Sequence, residues 1–476
     1  MEEEANQFNE PKENSNNNNN NNSKKTIKIV VISLVILTLI IAGILAYTLL
    51  KPKTEKCGDG ICDSKENAKK CPQDCKSGNG NGGGNGGTTS YCGDKTCNNG
   101  ETCSTCSDDC GTCSGNGGTT PAADSPFGAH GQIDYSIPAS IGVEWQRIAG
   151  PDSLAFGASV FNFESALKEA RQNNLGVIVT VHAGNKEYPA DIEGYKQFLR
   201  DSINKYKNDV QYYQIENEPD NNRYWEDTPE NYAKLLKDSY VVIKEECADC
   251  KVVIGGAVTM KFPIGDTNFY DSVLSELKSY SECSNGCYDI FDIHAASCDV
   301  CLDSKANVNC DAGECSYGFI ANAYNNAKNI QAEYGFNNPI WSTEFGYLAS
   351  TIETTQKTLI KSFVYALNLG FEKLFWRVAE DCCKIYSNEP TGTYYAYKTL
   401  IEQIKGYSSI TKITDSQYKF SVNEKNIYIL WCDSGTCALP SEITGSVKVT
   451  DFIGIETTKS ASSITLNSDA IFLEQA

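Results

Sequence analysis

The chain has 476 residues and a formal net charge of −20, with 41 Lys plus Arg against 61 Asp plus Glu. That length calls for more than one domain, and the acidic balance excludes a broad nucleic-acid-binding surface, which needs clustered Lys and Arg. Twenty-two cysteines are many for a reducing compartment and fit disulfides formed outside the cytosol.

Residues 1–28 are Asn-rich and charged, with a homopolymer from Asn16 to Asn22, and read as a disordered cytoplasmic tail. Residues 29–50, IVVISLVILTLIIAGILAYTLL, carry no charge. They are long enough to cross a bilayer core of ~30 Å as one helix. A buried core helix would show polar periodicity, which is missing. A cleaved signal peptide would have a shorter apolar run ending in small residues. The segment therefore reads as a single-pass signal anchor. Lysines flank it on both sides and leave orientation undecided, but every cysteine follows it, which places the remainder extracytoplasmically at the cell membrane.

Residues 51–121 read as a stalk. Two Cys-rich modules, Cys57 to Cys75 and Cys92 to Cys113, are separated and followed by Gly/Asn linkers. Neither module is large enough to fold by apolar burial alone, so disulfides or a metal must hold it. Zinc at Cys103 and Cys106, or calcium at Asp59, Asp63, Glu66 and Asp74, is the alternative to a plain disulfide knot.

Between residues 122 and 406, strand-like and helix-like segments alternate. The strands are 125–131, 143–150, 177–185, 210–220, 252–258, 288–297, 339–347 and 373–381. They are short and apolar, as parallel strands covered on both faces must be. Eight such units predict an α/β fold, a (β/α)8 TIM barrel. A doubly wound open sheet would usually show a Gly-rich phosphate loop after an early strand, and none is present. From 407 to 476 the pattern changes to alternating apolar and polar residues between turns. This predicts a small C-terminal antiparallel β domain, a sandwich packed on the barrel.

Polar residues gather at the predicted strand ends. The fourth strand closes on Asn217 and Glu218, and the seventh on Glu344; other ends carry Arg147, His182, Asn185, His294, Trp376 and Arg377. In such barrels the strand C-termini form the active face. Two glutamates facing each other across a barrel mouth suit glycosidic bond cleavage, one protonating the leaving oxygen while the other attacks the sugar carbon or activates water. Asn217 offers amide donors and an acceptor to a sugar hydroxyl, and Trp376 a flat apolar face to the ring. The rival reading of each such residue is a plain turn or cap residue or a structural histidine.

Asn-Glu-Pro on the fourth strand and Thr-Glu-Phe-Gly on the seventh resemble the motifs of clan A glycoside hydrolases, retaining enzymes that include cellulases, mannanases and β-xylosidases. The resemblance implies an acid/base role for Glu218 and a nucleophile role for Glu344. It implies substrate-site roles for Asn217, Arg147, His182, His294 and Trp376. For Arg147, an ion pair that orients Glu344 is the favoured role. The C-terminal β domain resembles one beside the barrel in the β-xylosidase-like branch. Two positions depart. Many members have Trp before Asn-Glu-Pro, where this chain has Glu216. Many have Tyr two residues after the sixth-strand His, where this chain has Ala296, so another group must orient the nucleophile.

The barrel cysteines read as staples. Cys247 and Cys250 form a C-x-x-C whose alternative is redox chemistry. Cys283, Cys287, Cys298, Cys301, Cys310 and Cys315 crowd the loops around the sixth strand, Cys382 and Cys383 follow the eighth, and Cys432 and Cys437 close a hairpin. The resulting expectation is a membrane-anchored retaining glycosidase acting on an oligosaccharide or polysaccharide, with no metal or organic cofactor needed. Its rivals are a non-catalytic glycan-binding protein, a surface-polysaccharide transglycosylase and a thiol oxidoreductase.

Overall fold

The structure, a computed structural model, describes residues 125–261, 268–295, 315–346, 352–379 and 383–475. The expected cytoplasmic tail, membrane span and Cys-rich stalk lie outside the described residues. Among the described residues no helix is long and apolar enough to cross a membrane.

Eight strands form the frame. They are β1 (Phe127–His130), β2 (Trp145–Ile148), β3 (Gly176–His182), β4 (Tyr212–Ile215), β5 (Lys251–Val253), β6 (Phe291–Asp292), β7 (Ile340–Phe345) and β8 (Lys373–Arg377). A helix follows each: α1 (Ser136–Ser140), α2 (Phe161–Gln172), α3 (Ile192–Tyr206), α4 (Pro229–Glu246), α5 (Asn268–Ser279), α6 (Cys315–Glu333), α7 (Ile352–Leu369) and α8 (Gly392–Ile404). Helix starts follow local chemistry. Asp191 accepts from the Gly194 amide at 2.9 Å to cap α3, and Thr228 caps α4 with Pro229 next in line. The parallel ladder runs β5-β4-β3-β2-β1-β8-β7-β6. Two isolated parallel bridges, Val253 with Ile290 and Ala257 with Ile293, close it between β5 and β6. An additional two-residue strand, Leu154–Ala155, pairs with β3. The fold is a (β/α)8 barrel.

The barrel interior is filled, and its polarity changes with height. The lower part is apolar: Trp145, Ile178, Val253, Ile290, Trp341 and Phe375 pack together. Lys373 lies with its ammonium 4.4 Å from the Trp145 ring centre and donates to the Ser125 carbonyl at 2.8 Å. Above this comes a buried polar layer. Gln214 accepts from the Thr180 hydroxyl at 3.0 Å and donates to Asp292 at 2.5 Å, and the Thr343 hydroxyl also donates to Asp292 at 2.5 Å. A polar layer at this depth is stable only because its members satisfy one another, and it forms the floor of the mouth.

From Tyr407 onward the chain builds an antiparallel sheet of β9 (Tyr407–Thr414), β10 (Gln417–Val422), β11 (Lys425–Leu430), β12 (Ser446–Thr450), β13 (Glu456–Ser460) and β14 (Ile471–Gln475). Its order is β9-β10-β11-β14-β12-β13. Period-two alternation divides its side chains between two cores. Phe420, Ile427, Ile429 and Phe472 join the barrel's helix-side core, while Tyr428, Leu430, Val449 and Leu473 join a second, smaller one. Among the described residues this is one sheet, not the two of a sandwich. Loop residues such as Ile443 and Leu466 cover the face turned from the barrel, in place of a second sheet.

Candidate active site

Six of the predicted residues, Arg147, Asn217, Glu218, His294, Glu344 and Arg377, meet at the mouth, and Arg147 is their hub. Period two along β2 puts Trp145 and Arg147 on the interior face. The Arg147 guanidinium donates through Nε to Gln214 at 2.8 Å, through Nη1 to Glu344 at 2.8 Å and through Nη2 to Asn217 at 2.6 Å. Its side chain is fully buried. The ion pair favoured for Arg147 over substrate contact is present: every polar atom of the group is turned to protein, and its effect is to hold Glu344 and Asn217. Because Asn217 Oδ1 is used by Arg147, its amide N–H2 is the part left for a ligand.

Glu344 reaches the mouth through an irregularity. Pairing between β7 and β8 shifts register between Ser342 and Phe345. The shift lets Thr343 enter the polar layer and Glu344, the next residue, join the site beside it. Four cationic or potentially cationic groups surround its carboxylate. Arg147 Nη1 lies at 2.8 Å, His130 Nε2 at 3.5 Å, His294 Nδ1 at 3.6 Å and Arg377 Nε at 3.8 Å. Burial opposes ionisation of Glu344, yet His294, Arg147 and Arg377 hold its carboxyl well below the usual carboxylate range. Ala296 lies outside the described residues; among them Arg147 makes the shortest contact to the Glu344 carboxylate, at 2.8 Å.

Glu218 follows β4 and stands against His294, whose Nδ1 is 2.8 Å from its Oε1; Asn221 donates to its other oxygen at 2.9 Å. Burial pushes the Glu218 carboxyl up, but the bond to His294 and its charge outweigh that and bring it below the ordinary value. Burial likewise disfavours a charged His294, but Glu344, Asp292 and Glu218 raise it to about 10. His294 is thus an imidazolium at neutral pH, with one face toward Glu218 and Nε2 toward Asp292 and Thr343 at 3.5 and 3.2 Å. One carboxylate oxygen from each of Glu218 and Glu344, and a His294 ring nitrogen, lie within 4.8 Å of one another. That triad has the size of a cation site, but the donor set does not fit one. His294 Nδ1 is committed to Glu218 Oε1 at 2.8 Å, and Arg147 already pairs with Glu344 at 2.8 Å.

Space for this packing comes from Gly255 and Gly256. A Cβ on Gly256 would sit 2.0 Å from His294 Nε2, and one on Gly255 2.6 Å from the Pro219 ring. The Gly256 amide donates to the Asn217 carbonyl at 2.6 Å, tying the loop after β4 to the one after β5.

Among the described residues, the other predicted ones make no polar contact with the Arg147 cluster. His182 pairs with Glu216, Nδ1 to Oε2 at 2.7 Å. Asn185 is exposed three residues past β3, and among the described residues it bonds to no member of the site. Trp376 is fully buried on the outward face of β8. Its ring packs edge-on to Phe345 and tilted to Phe363, and its Nε1 donates to the Cys383 carbonyl at 2.8 Å. The expectation that it offers a face to a sugar is corrected by strand alternation, which turns Arg377 inward and Trp376 toward α7.

His130, at the end of β1, is a site residue that sequence reasoning missed, although the strand-end rule that singled out the other two histidines points to it as well. Burial leads in depressing His130 to about 3; Glu344 opposes this, while Arg147, His294 and Arg377 add to it, so it is neutral. Gln214 and Asp292 were missed because they lie one layer below the strand ends. The expected local disulfides Cys247–Cys250 and Cys432–Cys437 are formed, and within the group of cysteines around the sixth strand, for which the sequence predicts no pairing, Cys283 bonds to Cys287. Cys298, Cys301, Cys310 and Cys382 lie outside the described residues.

No family model and no curated protein matches this sequence. Solved structures do. A family 39 glycoside hydrolase from Bacteroides cellulosilyticus WH2 superposes with a TM-score of 0.57 at 14% identity, over 74% of this chain and 81% of that one. A family 39 β-xylosidase from Caulobacter crescentus gives 0.52 at 10% identity, over 74% and 96%. A family 30 subfamily 8 xylanase from Clostridium acetobutylicum gives 0.50 at 14%, over 74% and 96%. The fold is that of the clan A glycoside hydrolase barrels.

Proposed function

We propose that the protein is a retaining O-glycoside hydrolase that cleaves an oligosaccharide or polysaccharide by double displacement. The observation that carries this reading is the close pairing of Glu218 and Glu344, with oxygens within 4.8 Å, at the ends of β4 and β7. Retaining enzymes hold their carboxyl groups ~5–5.5 Å apart, and inverting ones ~6.5–9.5 Å apart to admit a water.

In this reading Glu344, kept ionised by its cationic surroundings, attacks the anomeric carbon. Glu218 protonates the departing oxygen and then takes a proton from the incoming water. A resting general acid should hold its proton, whereas Glu218 is held ionised by His294. The proton is stored one bond away, on His294 Nδ1, 2.8 Å from Glu218. A sugar that displaces water from the mouth penalises both separated charges and favours transfer of that proton onto Glu218. The Asn217 amide donates to a sugar hydroxyl. An anchored, extracytoplasmic setting belongs to the same proposal, supported by the apolar run 29–50 and by disulfides in the barrel and the β domain.

The test is turnover of aryl glycosides and polysaccharides by the wild type, Glu218→Ala and Glu344→Gln. Glu344→Gln should be inactive on all of them. Glu218→Ala should keep activity only on aryl glycosides whose leaving group needs no proton. The first-formed sugar, read by NMR, should retain its anomeric configuration. Turnover untouched by both substitutions, or an inverted product, would overturn the proposal.

A further inference from the structure

We propose that Glu216 is a positioning residue. It fixes the His182 ring so that Nδ1–H faces Glu216 and Nε2 faces the cleft as a hydrogen-bond acceptor for a hydroxyl of a neutral sugar. The inference rests on the glycosidase reading for its ligand and on geometry for the rest.

Glu216 occupies the position before Asn217-Glu218 in a left-handed backbone conformation, φ 63°. A non-glycine residue adopts that conformation at a cost and keeps it where the surroundings demand it. Its side chain is buried. Both oxygens are committed: Oε1 accepts from the Ala183 amide at 2.6 Å, and Oε2 meets His182 Nδ1 at 2.7 Å. A carboxylate only accepts, so Nδ1 must carry the hydrogen. On the neutral ring that leaves Nε2 with a lone pair, since the bond made by one nitrogen sets the state of the other.

Strand alternation says where Nε2 looks. Ile178 and Thr180 on β3 lie in the barrel's apolar and polar interior layers, and His182 is the next residue on that face. Its side chain is 24% exposed, and among the described residues Nε2 has no partner. Glu216 is adjacent in sequence to Asn217, whose amide N–H2 is turned from Arg147. The ends of two neighbouring strands, β3 and β4, therefore offer an acceptor and a donor, a pair suited to two hydroxyls. A sugar carboxylate at the same place would meet a lone pair backed by Glu216.

Glu216→Gln tests this with an internal contrast. The Ala183 amide needs the amide oxygen of Gln, so the Gln N–H2 must face His182 Nδ1. That forces Nδ1 to accept and moves the hydrogen to Nε2, reversing the tautomer without altering size. The chain has three histidines, so long-range proton–nitrogen correlation spectra of the 15N-histidine-labelled full chain are assignable by single substitution. The neutral His182 ring should be Nδ1–H in the wild type and Nε2–H in Glu216→Gln. On an aryl glycoside that the wild type turns over, Glu216→Gln should lower kcat/KM about 10- to 100-fold. Among monodeoxy analogues, the one lacking the recognised hydroxyl should cost the wild type a similar factor and the variant nothing more. Glu216→Asp, which keeps the carboxylate, should keep the wild-type tautomer.

An Nε2–H tautomer in the wild type overturns the proposal, and that measurement needs no variant to fold. Equal sensitivity of both proteins to every deoxy analogue overturns it as well. Absence of turnover in the wild type would strike the glycosidase reading instead, leaving the tautomer result to stand by itself.

Discussion

Arg147 has three hydrogen-bonding directions and a different partner along each, which makes it the least replaceable side chain at the mouth. Lysine retains the charge but offers no planar fork, so it cannot reach Gln214, Glu344 and Asn217 together. If Glu344 attacks the sugar as proposed, Arg147→Lys should lower kcat about 10²- to 10³-fold with little change in KM, measured by steady-state kinetics, because it disturbs that carboxylate more than sugar binding. His294 predicts a pH effect on stability. Its pKa is raised from 6.5 to about 10 on folding, so its contribution is complete below 6.5 and disappears as pH rises through about 10. Denaturant melts of the wild type should weaken between pH 7 and about 10, and His294→Asn should flatten that alkaline limb. The residue types at the site were readable because an amide, carboxylates and histidines stood where apolar strands end. Their partners were less so. Burial of Trp376 follows from alternation along β8 once Lys373, Phe375 and Arg377 are known to face inward. The entry of Glu344 into the site and the turn of Glu216 toward His182 depend on a register shift in β7 and a left-handed residue after β4, and neither leaves a clear trace in composition.

At the level of elements, two neighbouring glycines after β5 do what no side chain could. Gly256 gives up its Cβ to the His294 ring, and Gly255 gives up its own to Pro219. Gly256→Ala should displace His294 from Glu218. The expected outcome is loss of at least about 10²-fold in kcat/KM and about 1–3 kcal/mol of stability from overpacking, read by kinetics and by denaturant melts. The sequence shows this pair plainly as VVIGGAV, yet its meaning emerges only once the sixth strand lies alongside. All eight strands and the seven longer helices were legible, since each strand is a short apolar run and each of those helices has its own apolar stripe; the five-residue α1 was not. The two-residue strand at Leu154–Ala155 was not, being too short to carry any periodicity.

For the whole molecule, barrel and β sheet share one apolar core, and a few polar contacts mark the seam between them. Lys361 on α7 is buried, donates to Asp433 at 2.5 Å and lies over the Trp431 ring at 5.5 Å. Asp433 also accepts from Trp431 Nε1 at 2.9 Å. Asp433→Ala leaves the buried ammonium without its acceptor and should cost about 1–3 kcal/mol, seen as a lower Tm with kcat unchanged. The barrel architecture was legible because eight βα repeats have few alternatives. The second layer of the β domain was misjudged because alternating strands announce two faces without saying what covers the outer one; here loops do.

The barrel closes between β5 and β6 through two lone bridges rather than a ladder, and β6 itself is two residues long. Five backbone hydrogen bonds nevertheless cross that line: Asp289 and Ile290 donate to the Val252 carbonyl, Ile254 to Ile290, Ala257 to Asp292 and His294 to Ala257. His294, two residues beyond β6, is therefore fastened by its own backbone to the residue that follows Gly256. Its amide should be among the slowly exchanging ones at the mouth, and its exchange should quicken in Gly256→Ala.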